Sequence, residues 1–442
     1  MANNLSQRIF FNINWILIEK ISKALLTALT SLVIARVLGS EGIGIISIAL
    51  TLYAVFTIFG TLGLERVIVR DLQDPKRDKE RLMGAVVILR LIGAAIAFVG
   101  LNSTVWWFYA DNLSLKMMCL ILSTAFFITV GDAFEAVYRT QLRSKYVTIV
   151  RVLGLFSSAL CKLSILYFEA DIIWFAVPVV LETAIICSAF LYLRVSDAKL
   201  SLGKLVFRFS EVKGLLLFSW PLALSGLAGN LYFHADKIII HHLIDASALG
   251  KYALLFQLVS ILLFVFNSIN LSVTPVLNRL HFESSSLFWR KYHEITALKL
   301  LLAFGMGTGL MLLGNIVIPF LVGDEFSYST EVLAIFSTYI VFVAMCSLKS
   351  EYCVLIGVVK PLFYMRIVTL GINVLLNLWL IPKWGLAGAA CATVASYAIN
   401  ELVFPVFIKE MRVVVLNNLL ALREFTNRSF YSSLNAQLKK LF

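Results

Sequence analysis

Residues Leu82–Tyr109 read LMGAVVILRLIGAAIAFVGLNSTVWWFY, an apolar run interrupted by a single charged side chain, Arg90. At 1.5 Å per residue the run makes a helix of roughly 40 Å, longer than the ~30 Å hydrocarbon core of a bilayer. In hydrocarbon each backbone N–H and C=O must be satisfied inside the protein, which one helix achieves by itself. A barrel strand would instead alternate apolar and polar residues over about ten positions, and this stretch does not alternate. Working outward, comparable runs lie at about 11–36, 43–69, 113–138, 146–168 and 171–194. After a polar stretch they resume at about 214–242, 248–276, 294–322, 331–356, 361–382 and 386–409. The sequence therefore predicts an all-α polytopic membrane protein of about twelve transmembrane helices.

Composition excludes the soluble classes. The 442 residues are 60% apolar and 14% charged, against roughly 25% charged in an ordinary soluble domain. A net charge of +12 would suit a nucleic-acid partner only as one surface patch; here it is spread through short connections, so no nucleic acid is expected. All six cysteines fall inside apolar runs without CxxC spacing, and His234 and His241 share a helix face with no third ligand beside them. No metal site or cofactor is predicted. The N-terminal MANNLSQR leads into an apolar run without a small-residue cleavage site and reads as an uncleaved first span. No connection is long enough for a folded catalytic domain, so the expectation is a transporter and not an enzyme.

Charge sets the orientation. With the N-terminus inside, the inner connections hold Arg66, Arg70, Lys76, Arg77, Lys79 and Arg81, then Arg139, Arg143 and Lys145, then Arg194, Lys199, Lys204, Arg208 and Lys213, with more in the second half and the tail. The outer connections hold Arg36 and Lys383, with Lys116, Lys237 and Lys251 just inside the outer span ends. This asymmetry places both termini in the cytoplasm. The expected layout is an N-terminal six-helix bundle at 1–194, a cytoplasmic linker at 195–213, a C-terminal six-helix bundle at 214–409 and an amphipathic cytoplasmic tail at 410–442 lying on an anionic leaflet. At an offset of 206 residues, Gly44–Leu50 aligns with Gly250–Phe256, each opening the second span of its half. Such a parallel repeat relates two halves about an axis along the membrane normal.

Ionisable groups inside spans point to function, because each is costly in lipid unless it meets a cavity or a partner. Lys23, Arg90 and Lys162 lie well inside their spans, as do Glu182 and Glu401. Arg90 has no acidic residue in its own span, which makes it the leading candidate for a cavity lining, with Lys23 and Lys162 as lesser members. Glu19 and Lys23 at i, i+4 have a self-neutralising reading, and Lys162 and Glu182 share a helical hairpin. Asp236, beside His234 and Lys237, Glu182 and Glu401 are candidates for ion coupling or ion pairing. Arg151, Lys299 and Arg366 lie close enough to the cytosol to snorkel.

Several segments resemble a known family. IARVLGSEGIG (Ile34–Gly44) followed by GTLGL (Gly60–Leu64) resembles the opening spans of Wzx-type polysaccharide flippases. PLALSGL (Pro221–Leu227), Asp236-Lys237 and LGKYA (Leu249–Ala253) resemble their seventh and eighth spans, and NVLLNLWLIPKWGLAGAACAT (Asn373–Thr393) is the most specific match. The resemblance covers nearly the whole chain. It implies the MATE-like multidrug/oligosaccharidyl-lipid/polysaccharide exporter (MOP) fold, two six-helix bundles around a cavity that opens alternately to either side. The implied cargo is an undecaprenyl-pyrophosphate-linked oligosaccharide repeat unit, moved from the cytoplasmic to the periplasmic leaflet of the bacterial inner membrane for O-antigen, lipopolysaccharide or related polysaccharide biosynthesis. Membrane lipid and other polysaccharide-assembly proteins are the implied partners. Lys237 after Asp236 departs from the family pattern and leaves the coupling ion, H+ or Na+, open. The alternatives are an ion-coupled multidrug exporter of the same superfamily, which for cationic drugs would favour an acidic cavity, and a membrane glycan polymerase or ligase, which would show a sizeable outer loop.

The orientation is testable. Reporter fusions after Ser201 and Asn435 are expected to read cytoplasmic and those after Asp111 and Asp324 periplasmic. One reversed fusion would mean a span count wrong by at least one.

Overall fold

The computed structural model describes residues 2–74, 76–141, 143–196, 206, 208–358 and 360–422. Within these residues the chain is helical and contains no strand. The helices are α1 (Ala2–Thr61), α2 (Leu64–Asp71), α3 (Lys79–Phe108), α4 (Leu113–Ile128), α5 (Glu135–Thr140), α6 (Ser144–Tyr167) and α7 (Val177–Ser196). They continue as α8 (Phe209–Leu243), α9 (Ala246–Glu283), α10 (Ser285–Val322), α11 (Thr330–Cys346), α12 (Lys349–Leu355), α13 (Lys360–Ala398) and α14 (Lys409–Ala421).

Ten helical stretches among the described residues are long and apolar enough to cross a membrane, and two of them, Asn14–Thr61 and Lys360–Phe407, run for 48 residues. Each of these two is about twice the length a bilayer needs, and each is a pair of spans. Gly39 (φ 67°, ψ −171°) breaks the first and Gly385 (φ 54°, ψ −130°) the second. Both lie in the left-handed half of backbone space, where glycine carries no Cβ penalty. Beyond Gly385 the chain turns back on itself: Gly388 lies against the Leu380 carbonyl, Asn373 donates to Ser396 Oγ at 3.0 Å, and Thr369 to Asn400 Oδ1 at 3.1 Å. Those pairs run in opposite chain directions, so α13 is a helical hairpin. The ten stretches thus supply the twelve spans read from the sequence.

By internal packing the chain divides into two compact units, Met1–His241 with Ala246–Ala253, and His242–Asp245 with Leu254–Phe442. The first unit therefore includes α8. Most of the 195–213 segment, read as a linker, lies outside the described residues, as does 423–442 of the tail. The first unit buries Leu64, Val67, Met83, Val86, Leu89, Phe134, Tyr138 and Phe190 in one apolar cluster, which fixes α2, α3, α5 and α7 around the site described below. In the second unit α14 is docked: Met411 and Val414 are buried, and Asn418 Oδ1 accepts from Tyr292 of α10 at 2.8 Å. Leu416, Leu419 and Leu420 on the same helix stay exposed, so its other face is apolar.

The repeat at an offset of 206 has a physical counterpart. A Cβ at Gly44 would stand 1.8 Å from the Ala246 carbonyl oxygen, and one at Gly250 would stand 1.8 Å from that of Ser40. Ser40 maps onto Ala246 as Gly44 maps onto Gly250, so the contact is reciprocal, and it is closed by a Ser40–Ser247 hydroxyl bond of 2.5 Å. Only glycine lets two helix backbones approach this closely.

Gly44→Val and Gly250→Val are therefore expected to lower thermal stability in detergent, by about 1–3 kcal/mol each as overpacking. Gly305→Ala, whose added Cβ meets nothing within 4 Å, should leave stability unchanged. Equal stability of all three would contradict the close crossing.

Candidate functional site

The site is built where one span stops being a regular α-helix. After α4 the chain tightens into a 3₁₀ segment, Thr129–Phe134, and then resumes as α5. Gly131 sits against Cys187 of α7, whose sulfur a Cβ would overlap at 2.0 Å. A change of helix type leaves backbone groups that need partners from elsewhere. Arg90, inside α3 and 3% exposed, meets one of them, its Nη1 donating to the Thr129 carbonyl at 2.9 Å.

The same turn swings Asp132 and Glu135 inward. Glu135 is buried and saturated: Arg139 holds Oε1 at 2.5 Å, while Arg151 holds Oε2 through Nε at 3.1 Å and Nη2 at 2.7 Å. Arg151 also approaches Glu19 Oε1 at 3.7 Å. Arg90 and Asp132 are the reverse case. Arg90 Nε and Asp132 Oδ1 are both buried without a hydrogen-bond partner. They line a cavity of about 440 Å³ together with Glu65, Glu135, Arg139 and Arg151, between the apolar walls of Ile68, Val69, Ala133 and Ala136. Glu65 arrives through a second break, at Leu62 (φ 49°) and Gly63 (φ 64°), which turns α2 away from the span before it. A buried donor and a buried acceptor, each with unused capacity, can hold an anionic group and a hydroxyl at once.

Of the candidate binding and coupling residues named from the sequence, Arg90 lines this cavity, joined by Arg151, which the sequence placed near the cytosol. Lys23 is exposed. Lys162 is half-buried, with Glu182 of the neighbouring helix as its charged neighbour. Tyr53, stacked on Phe126 at 4.8 Å between ring centroids, has both Asp132 and Glu182 within electrostatic reach. Asp236 is buried and accepts from Tyr252 at 2.5 Å. Glu401 is buried in the second unit and paired with Lys349 at 2.9 Å. Arg151 and Lys299 do not snorkel: the first is held by Glu135, and the second is fully buried. Sequence reasoning passed over Asp132 and Glu135, though Asp132, Glu135 and Arg139 at i, i+3 and i+7 share a helix face. No group of three His, Cys, Asp or Glu side chains among the described residues could hold a metal.

Residues 9–281 match the family model described as polysaccharide biosynthesis protein. The chain belongs to that family. It is 21% identical over 410 residues to the capsular polysaccharide biosynthesis protein CapF of Staphylococcus aureus, covering 90% of this chain and 99% of that one. Among solved structures it resembles the lipid II flippase MurJ (TM-score 0.69, 16% identity, 94% of this chain and 93% of that one). It also resembles an inward-facing MATE family multidrug transporter of the MOP superfamily (TM-score 0.68, 13% identity, 92% and 96%). This member of the polysaccharide biosynthesis protein family is thus a multi-pass membrane protein with the fold shared by MurJ and the MATE transporters, the fold that the resemblance in Ile34–Gly44 and Asn373–Thr393 implied.

Removing the carboxylate of Glu135 strands Arg151 and Arg139. Because both arginines are part-exposed, the loss from Glu135→Ala should fall below the roughly 3–5 kcal/mol of a fully buried broken pair, and show as reduced abundance in the membrane. Combining it with Arg151→Ala should recover part of that loss, as expected for a coupled pair. No recovery would mean that the bridge is not what Glu135 supplies.

Proposed function

We propose that the chain is a flippase that carries an undecaprenyl-pyrophosphate-linked oligosaccharide repeat unit from the cytoplasmic to the periplasmic leaflet of the inner membrane by alternating access, both termini facing the cytoplasm. The observation that supports this reading best is the Arg90–Asp132 cavity, which carries an unmet donor and an unmet acceptor inside the spans of a polysaccharide biosynthesis protein. The physical problem is to move a charged, hydrated sugar-pyrophosphate head across ~30 Å of hydrocarbon. A polar cavity removes that barrier while the prenyl chain stays in lipid. Arg90 has geometry for a phosphate oxygen, which it would hold by a charge-assisted bond. Asp132 would accept from a sugar hydroxyl. Lys23, which is exposed, and Lys162, which is half-buried with Glu182 as its charged neighbour, lie outside this lining and stand as approach or packing groups and not as contacts to the head. The product would feed assembly of O-antigen or a related surface polysaccharide, as the name of the CapF relative suggests for capsule.

The same cavity bears on the runner-up. An exporter of organic cations would favour a net-acidic lining, whereas Glu65, Asp132 and Glu135 are matched here by Arg90, Arg139 and Arg151.

In a strain whose surface glycan depends on this chain, Asp132→Asn is expected to keep normal abundance and lower surface glycan display by about tenfold, the scale of one lost charged hydrogen bond of ~1.5 kcal/mol or more. Arg90→Lys should retain part of the display, since it keeps the charge and loses the planar fork. Arg90→Ala should abolish display. Normal display by Asp132→Asn and Arg90→Ala at normal abundance would remove the cavity from the transport path.

A further inference from the structure

Among its described residues the second unit buries two lysines fully and one carboxylate, Glu401. Lys349 and Lys299 are both 0% exposed. Lys349 is accounted for: its Nζ meets Glu401 Oε2 and the Asn400 carbonyl, each at 2.9 Å. Asn400 Nδ2 donates to the other carboxylate oxygen at 2.6 Å. Glu401 and Asn400 lie in a π-helical turn, Ile399–Val403, a rare distortion that often marks functional positions.

Lys299 has no such partner. Its Nζ donates to Asn270 Oδ1 at 3.1 Å and to Ser347 Oγ at 2.7 Å, and no carboxylate among the described residues lies within ion-pair distance. Both acceptors are fixed by their own bonds, Asn270 Nδ2 to the Ser347 carbonyl at 3.1 Å and Ser347 Oγ to the Ala344 carbonyl at 3.3 Å. An ammonium brings three hydrogens, whereas a neutral amine brings two and a lone pair. Two acceptors, both uncharged, in a fully buried pocket match the amine. A lone ammonium there would be strongly disfavoured.

We infer that Lys299 is a proton-binding site, neutral in the described state and charged in another state of the cycle, through which a proton gradient drives transport. The inference rests on the transport reading above. The step is one bond: a proton from the aqueous phase adds to the Nζ lone pair, and the unit gains one positive charge. The groups that face Lys299 do not themselves supply the change. Asn270 of α9 and Ser347 are neutral amide and hydroxyl. Cys346 of α11 and Tyr397 of α13 belong to the adjoining apolar cluster. Tyr292, two turns earlier on α10, is bonded to Asn418. The Lys349–Glu401 pair cancels its own charge and keeps the neighbourhood neutral until Lys299 is protonated.

Two variants separate this from a packing role. Lys299→Gln is always neutral and keeps two N–H donors; Lys299→Arg is always charged. Full-length protein is reconstituted in liposomes with a fluorescent undecaprenyl-pyrophosphate-linked oligosaccharide, and arrival in the far leaflet is read by lectin binding, with and without an imposed pH gradient. The wild type should speed up severalfold under the gradient. Lys299→Gln should move the lipid at the wild-type rate without a gradient and show no response to one, and Lys299→Arg should fold and move none. Lys299→Gln retaining the full response, or Lys299→Arg transporting normally, would overturn the proposal. A second readout needs no substrate: on acidification, detergent-purified wild type should take up one more proton per chain than Lys299→Gln. Equal uptake overturns the proton site whatever the cargo, whereas a wild type that takes up the extra proton yet moves no saccharide overturns the substrate reading alone.

Discussion

A buried polar group in a membrane protein has no water to fall back on, and the polar interior of this chain follows from that constraint. Each unpaired backbone or side-chain group in hydrocarbon costs several kcal/mol, so a polar feature inside a span persists only where the protein supplies its partner. The Arg90–Thr129 bond is the clearest case. The 3₁₀ turn that presents Asp132 and Glu135 disturbs the helix ladder, and the arginine from α3 steadies it. Glu135 in turn needs Arg139 and Arg151. The site is therefore a set of mutually compensating irregularities, and the two residues that keep an unmet buried atom, Arg90 at Nε and Asp132 at Oδ1, are among those that line the cavity.

The same rule divides the buried charges by role. Glu401 with Lys349, and Asp236 with Tyr252, have close partners, so they first explain structure. Lys299, whose partners are all neutral, is where a change of protonation would alter the charge of the unit. A gradient can act on a transporter only through a group whose ligation differs between states. A lysine poised as the free amine satisfies that requirement without a metal or an acidic cluster.

Much of the fold was legible in the sequence because a bilayer imposes a length and a hydropathy on each span. The twelve apolar runs, including the two pairs of spans within 48-residue helical stretches, follow from that rule, and the Gly44/Gly250 repeat was visible because glycine is required where the two backbones cross. The site was legible only in part. Arg90 stood out as the one charge in its span. Asp132 and Glu135 did not, because their meaning depends on a 3₁₀ turn that periodicity cannot reveal. Arg151 and Lys299 were misplaced for a related reason: distance along a helix from its polar end gives depth, but not which side of the helix faces protein. Lys23 is deep in its span and exposed, and position along the helix does not say to what.

The claim on which the functional reading turns is that the Arg90–Asp132 cavity holds the head of a lipid-linked saccharide. Val69 lines that cavity without contributing a polar group. In a background with the six native cysteines replaced, Val69→Cys in nanodiscs can be titrated with a charged maleimide, with and without undecaprenyl-pyrophosphate-linked oligosaccharide. Occupancy of the cavity predicts that labelling slows in proportion to bound lipid and that undecaprenol alone gives no protection. An unchanged labelling rate at saturating lipid-linked saccharide would contradict it.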